Sequence, residues 1–142
     1  MKKLPLHLMR HPYEVSILRL PAGAEIDWDL SRSAFSSVTR TTHETSVICE
    51  SRLVPPQARH EGPYVPFEVA GPLDFELVGT MAGLLEPIVA ARIGVLTMST
   101  FDTDWVLVPA ADADPAAVAW RRHGFVVTHT SLSDWNPEED RA

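Results

Sequence analysis

Thr97-Met98-Ser99-Thr100-Phe101-Asp102-Thr103-Asp104-Trp105-Val106 is the stretch from which the rest of the chain is read. Its polar centre stands between apolar, β-branched flanks, which is the pattern of two strands joined by a tight turn. The pattern occurs 58 positions earlier as Thr39-Arg40-Thr41-Thr42-His43-Glu44-Thr45-Ser46-Val47-Ile48. Three threonines coincide, and Thr41/Ser99, Glu44/Asp102 and Ile48/Val106 are close substitutions. A second echo lies upstream of each copy, Pro12-Tyr13-Glu14-Val15 against Pro66-Phe67-Glu68-Val69. Chance similarity between two threonine-rich strands is the alternative; two related units account for both echoes.

Outward from the second copy, the chain spells a complete motif. Residues 66–70 read as a strand ended by Gly71-Pro72. Asp74 is placed to cap a helix running to about Ala91, with Phe75, Val78, Met81, Ala82, Leu85, Ile88 and Val89 at steps of three and four. Pro87 and the glycines at 79 and 83 weaken that helix, and Pro87 predicts a kink. Strands follow at 94–99 and 104–109. A second helix is announced by Asp114 as N-cap, Pro115 at the first helical position and Gly124 as its stop. Residues 125–129 close the unit as a strand. The order is βαββαβ, a ferredoxin-like α+β arrangement with an antiparallel sheet and helices on one face.

The first half is shorter. Residues 4–9 and 14–20 read as strands, 25–30 has room for a helical turn or two, and 35–40 with 45–49 forms the first hairpin. Residues 51–66, rich in Pro and Gly, read as a connector. The expected domains are an abbreviated unit with its connector over 1–62, a complete unit over 63–130, and an acidic tail over 131–142.

Bulk properties narrow the function. A chain of 142 residues suits one compact domain or two small ones sharing a core. Its net charge of −7, with no basic stripe, argues against a nucleic-acid surface. The single Cys49 excludes an internal disulfide and a cysteine-based zinc site. No stretch has the length of a membrane span, and Pro5, His7 and Arg10 interrupt the short apolar run after Lys2-Lys3. These features lead us to expect a cytoplasmic protein.

Phe35-Ser36-Ser37-Val38-Thr39-Arg40-Thr41 with Glu44-Thr45-Ser46-Val47-Ile48-Cys49 resembles the first half of small bacterial tandem ACT-domain proteins, which are similar to the repeated units of the CASTOR arginine sensors. Gly71-Pro72-Leu73-Asp74-Phe75, Gly79 and Ser99-Thr100-Phe101-Asp102-Thr103-Asp104 resemble the second half. The match covers roughly residues 13 to 128. The resemblance implies paired ACT units with a free amino acid held between them and no chemistry done to it. By motif, the ligand residues would be Asp74, Phe75 and Leu77 in the 71–77 segment, Ser99, Thr100, Phe101 and Asp104, with Thr45, Ser46 and Val47 from the facing hairpin. Leu77 stands where the arginine sensors place a Glu, and Asp74 where they have Gly. Arginine itself is therefore not the expected ligand.

A zwitterionic amino acid needs donors for its carboxylate and acceptors for its ammonium. Backbone N–H groups at a helix start supply the first. Asp104 could accept from the ammonium, a charge-assisted bond worth roughly 1.5–3 kcal/mol. Phe101 and Leu77 would form an apolar wall that suits a neutral or aromatic side chain. Plainer roles stand beside these. Asp102 and Asp104 flank a hairpin, where Asp stabilises turns. Asp74 would act as a cap, Ser99 and Thr100 as strand-end residues, and Phe101 and Cys49 as core.

The six histidines are scattered without metal-ligand spacing, and the Asp102/Asp104 and Asp112/Asp114 pairs lack a calcium-loop context. No phosphate loop or nucleophile elbow is present, and nothing joins Ser46, His43 and Asp104 into a triad. The expectation is a non-enzymatic amino-acid-binding protein without cofactor or metal, acting on a regulated partner or as a homo-oligomer through sheet edges. An interaction module without a ligand and a small enzyme on the same scaffold are the rivals.

Overall fold

The computed structural model describes residues 6–71 and 78–131. It contains eight strands, β1 (His7–Arg10), β2 (Val15–Pro21), β3 (Ser37–Arg40), β4 (Glu44–Glu50), β5 (Arg59–Val69), β6 (Leu96–Ser99), β7 (Asp104–Pro109) and β8 (Val126–His129). Two helices, α1 (Thr80–Ala90) and α2 (Ala113–Arg122), complete it. Among the described residues, 6–12 with 65–131 form one compact unit and 13–64 another.

The larger unit has the strand order β8-β1-β5-β7-β6. Residues 65–129 supply the end of β5, then α1, β6, β7, α2 and β8, the βαββαβ order predicted from sequence. The strand at 7–10 enters the middle of this sheet. It runs antiparallel to β5, with Leu8 opposite Val69, and parallel to β8, with Leu8 opposite Val127. Side chains alternate across a pleated strand, so Leu8, Phe67, Val69, Val106, Val108 and Val127 share one face. Both helices bury their apolar sides there, through Leu84 and Ile88 from α1 and Ala113, Ala116, Ala117 and Trp120 from α2. Trp120 is fully buried, packs at a tilt on Phe67 with ring centroids 4.9 Å apart, and donates from Nε1 to the Leu84 carbonyl at 2.9 Å. That bond satisfies the indole N–H where solvent does not reach.

The helix starts differ from the sequence expectation. Gly79 has φ 84°, which a right-handed helix cannot contain, so α1 begins at Thr80. Asp74 lies outside the described residues. Asp114 does not cap α2. A 3₁₀ turn at Ala110–Asp112 leads directly into that helix, and the Ala113 N–H is already bonded to the Ala110 carbonyl. Asp114 is thus inside the first turn, and its carboxylate accepts from Arg10 Nη1 at 2.6 Å. The arginine holds the Asp114 carboxyl below its usual range, first through the hydrogen bond and then through its charge.

The smaller unit is a sheet in the order β3-β4-β2-β5. Leu18, Val47 and Cys49 form the core of one face, covered by Ile26, Trp28, Leu30, Leu53, Val54 and Ala58 from the loops. Short 3₁₀ turns lie at Leu30–Arg32 and Ser51–Leu53. Glu50 is buried but satisfied, accepting from the Ala34 N–H at 2.8 Å and from Arg52 Nε at 3.1 Å.

Residues 51–66 are not merely a connector. From Arg59 the chain is strand, paired with β2 over 59–64. The prolines do not end it, because the ladder is interrupted where Pro63 stands. Val15 faces Tyr64 while Ile17 faces Glu61, so the register shifts by a residue. Gly62 fits there because a Cβ would come 2.5 Å from Ser16 Oγ.

Both predicted hairpins form, and their geometry revises the internal repeat. Arg40 faces Thr45 and Ser99 faces Asp104 as the closing pairs. Thr41 N–H bonds the Glu44 carbonyl at 2.9 Å, and Thr100 N–H bonds the Thr103 carbonyl at 2.8 Å. Thr41 therefore corresponds to Thr100, one residue away from the alignment that similarity alone suggested. A slip of one residue exchanges the two faces of a strand.

Candidate functional site

In the larger unit, Ser99 and Asp104 end β6 and begin β7 and lie directly opposite each other. The Ser99 hydroxyl donates to Asp104 Oδ1 at 2.6 Å, which fixes the carboxylate at the strand end. Thr100 Oγ1 bonds within the turn to the Thr103 backbone, at 3.3 Å to its carbonyl and 3.4 Å to its N–H. Phe101, at the tip, is 81% exposed, so it is not a core residue. Asp102 is an exposed turn residue.

Thr103 belongs to the repeated stretch but is not among the candidate site residues, yet it anchors the hairpin. Its buried hydroxyl donates to the Val69 carbonyl at 2.6 Å. That carbonyl ends β5, and the chain leaves it toward α1. Gly79 brings no side chain to cap the first N–H groups of α1. The hairpin thus stands where β5 ends, with an acceptor carboxylate (Asp104) on it. Asp74, Phe75 and Leu77 lie outside the described residues.

Thr45, Ser46 and Val47 lie on β4 of the smaller unit, and alternation separates them. Thr45 and Val47 are fully buried, and Val47 packs with Leu18 and Cys49. Thr45 Oγ1 accepts from Arg40 Nη1 at 3.3 Å. Ser46 points to the opposite face and lines an open depression of about 220 Å³ with Ile17, Arg19, Glu44, Arg59 and Glu61. Sequence patterning carries no signal for this depression, because Arg59 and Glu61 fall in the stretch that reads as connector.

A third cluster lies on β1, β5 and β7. His11 stacks on Trp105 with ring centroids 5.1 Å apart and 21° between planes. Its Nε2 is 2.9 Å from Glu68 Oε1, and its Nδ1 is 3.1 Å from Thr130 Oγ1. Both ring nitrogens are thus engaged, and the cluster ties the end of β8 to β1 and β5. Among the described residues no group of three or more His, Cys, Asp or Glu side chains is placed to hold a metal ion. Among those residues, too, no helix is long and apolar enough to cross a membrane.

An ACT domain is found at residues 59–120. The match runs from the start of β5 into α2 and includes the Ser99–Asp104 hairpin. The solved structure of protein Atu0741 from Agobacterium tumefaciens is similar, at 26% identity and a TM-score of 0.83, over 90% of this chain and 96% of that one. VC0802 from Vibrio cholerae, a protein of unknown function described as a possible transport protein, shares the fold. It is 13% identical, with a TM-score of 0.69, over 82% of this chain and 88% of that one. No curated protein matches the sequence. ACT domains commonly bind amino acids in regulatory roles.

Proposed function

We propose that this protein is a non-enzymatic sensor of a free amino acid, and that residues 13–64 are an abbreviated companion to the ACT domain. The observation that carries the reading is the ACT match over 59–120, with Asp104 held on its hairpin by Ser99. In this reading Asp104 accepts from the ligand ammonium, while Ser99 keeps its second oxygen turned to the ligand. The N–H groups at the start of α1, which Gly79 leaves without a side-chain cap, supply donors for the ligand carboxylate. Asp74, Phe75, Leu77, Thr100 and Phe101 complete the proposed ligand set, with Phe101 as an exposed apolar group that a bound side chain would cover. The Thr41 and Thr100 turns, built alike, support descent of the two hairpins from one unit. CASTOR-like sensing, in cytoplasm and through a protein partner, belongs to the same proposal.

The test is thermal unfolding of the full chain against each free amino acid separately. A ligand at about a hundred times its dissociation constant adds roughly 2.7 kcal/mol of stability. A selective rise in Tm with one or two amino acids supports the reading. No rise with any of them at millimolar concentration rejects it in favour of an interaction module.

A further inference from the structure

The outer face of the smaller unit carries an unusual pairing. Arg19 on β2 and Arg59 on β5 are register partners. Side chains of directly opposed residues leave the same face with Cβ atoms about 4.5–5.5 Å apart, and like charges so placed repel. Arg19 is relieved by Glu44, 3.8 Å from its Nε, and by the His43 carbonyl, 3.3 Å from Nη2. Arg59 has no such relief. Among the described residues it forms no ion pair, and neither does Glu61, the next residue on that side of β5.

These groups surround a depression rather than a flat face. Ile17 gives it apolar lining, and the Ser46 hydroxyl has no hydrogen-bond partner among the described residues. The volume of about 220 Å³ admits a small solute. Arg19 and Glu44 neutralise each other, which leaves one cation and one anion to be matched. Residues two apart on a strand rise by about 6.6–6.8 Å, twice the per-residue spacing. Two flexible side chains at that spacing can converge on adjacent groups of opposite charge. A simple anion would meet Glu61, and a simple cation would meet Arg59.

We propose that this depression is a second ligand site, which takes a compact zwitterion of the α-amino-acid class. Arg59 receives the carboxylate in a fork that suits its planar geometry, Glu61 receives the ammonium, and Ser46 offers a hydroxyl to either. The site lies wholly within residues 13–64 and does not depend on Asp104.

Backbone amide shifts of the isotopically labelled full chain, titrated with each free amino acid, provide the test. At least one amino acid is expected to give saturable shifts at Ile17, Ser46 and Glu61. Acetate and methylamine, each carrying one half of the charge pair, should bind at least tenfold more weakly. Arg59→Gln and Glu61→Gln should each weaken binding by about tenfold or more. Both side chains are exposed, so an otherwise unchanged spectrum will show an intact fold. Shifts confined to residues 99–104 would overturn this site while supporting the sensor reading. Shifts at Ile17, Ser46 and Glu61 that survive both substitutions, or no shifts there at millimolar concentration, overturn it as well. Shifts there that persist in Asp104→Ala but vanish in Arg59→Gln support it independently of the hairpin.

Discussion

Ser99 and Asp104 are cross-strand partners whose side chains share a 2.6 Å hydrogen bond at the turn end of the β6–β7 hairpin. The bond holds a carboxylate in place without burying it, since Asp104 remains partly exposed. A carboxylate already held in place loses little side-chain freedom when a cationic group arrives. Asp104→Ala is therefore expected to weaken amino-acid binding by about tenfold or more, while changing stability by less than about 1 kcal/mol. Calorimetric titration and a thermal melt on the same sample check both parts. Equal affinity in the variant would remove Asp104 from the site.

Gly62 faces Ser16 across the bulge in β5. Its φ of 143° and the 2.5 Å approach that a Cβ would make to Ser16 Oγ leave Ala two penalties. Ser16 Cα, at 3.1 Å, cannot swing aside as a side chain could. Gly62→Ala should cost about 2–4 kcal/mol. A urea midpoint within error of the parent would show that the bulge relaxes freely.

Arg92 follows α1 at φ 59°, the left-handed region that glycine enters without a Cβ penalty. The backbone there is fixed by bonds from the Arg92 N–H to the Val89 carbonyl and from the Ile93 N–H to the Ile88 carbonyl, 3.0 and 3.1 Å. Arg92→Gly relieves strain in the folded state but makes the unfolded chain more flexible. The net gain should be about 0.5–1 kcal/mol, read as a higher Tm. A lower Tm would mean that the arginine side chain contributes more than the strain removes.

Burial pushes the Cys49 thiol above its ordinary pKa of 9.0, with Trp28 pulling the other way and the neighbouring Glu50 adding to the rise. The Trp28 indole N–H is buried without a partner of ordinary hydrogen-bond geometry, so its hold on the thiol is loose. The folded chain thus keeps its proton where the unfolded chain releases one. This contribution is fully present below pH 9.0 and is lost as pH rises through the higher, folded-state value. Cys49→Ala should be less stable than the parent by about 1 kcal/mol at neutral pH. The gap should narrow in alkaline buffer. A gap that is constant across that range would assign the effect to packing alone.

Much of the ACT domain was legible because its signals are local. The βαββαβ order came from hydrophobic periods and from breakers such as Gly71-Pro72 and Gly124, and β7 was placed at its observed ends. The partners of β1 were not legible, since nothing in His7–Arg10 records that Val126–His129 will lie beside it. Pro63 hid the first part of β5, residues 59–65, because a proline is compatible with a strand only where the ladder already yields, and that depends on Ser16 and Gly62. The hairpin register escaped for another reason. Thr41 and Thr42 are equally good matches for Thr100 on paper, and the turn hydrogen bonds decide between them. Of the candidate residues, Ser99 and Asp104 are named by the resemblance alone, whereas proposing Arg59 and Glu61 needs the register of β2 against β5.

The placement of β1 also bears on how the molecule is made. His7 and Thr128 are hydrogen-bonded at 2.7 Å, though 121 positions apart. During translation, residues 13–64 emerge as a contiguous segment and can fold while the ribosome is still working. The strand made before them has no neighbours until β5 and then β8 have followed. The nascent chain therefore carries β1 without a sheet partner until residues 67–69 have been made, a span in which chaperones or a second nascent copy can capture it. Assembly of the larger unit is completed by β8, which holds nearly the last described residues to be added.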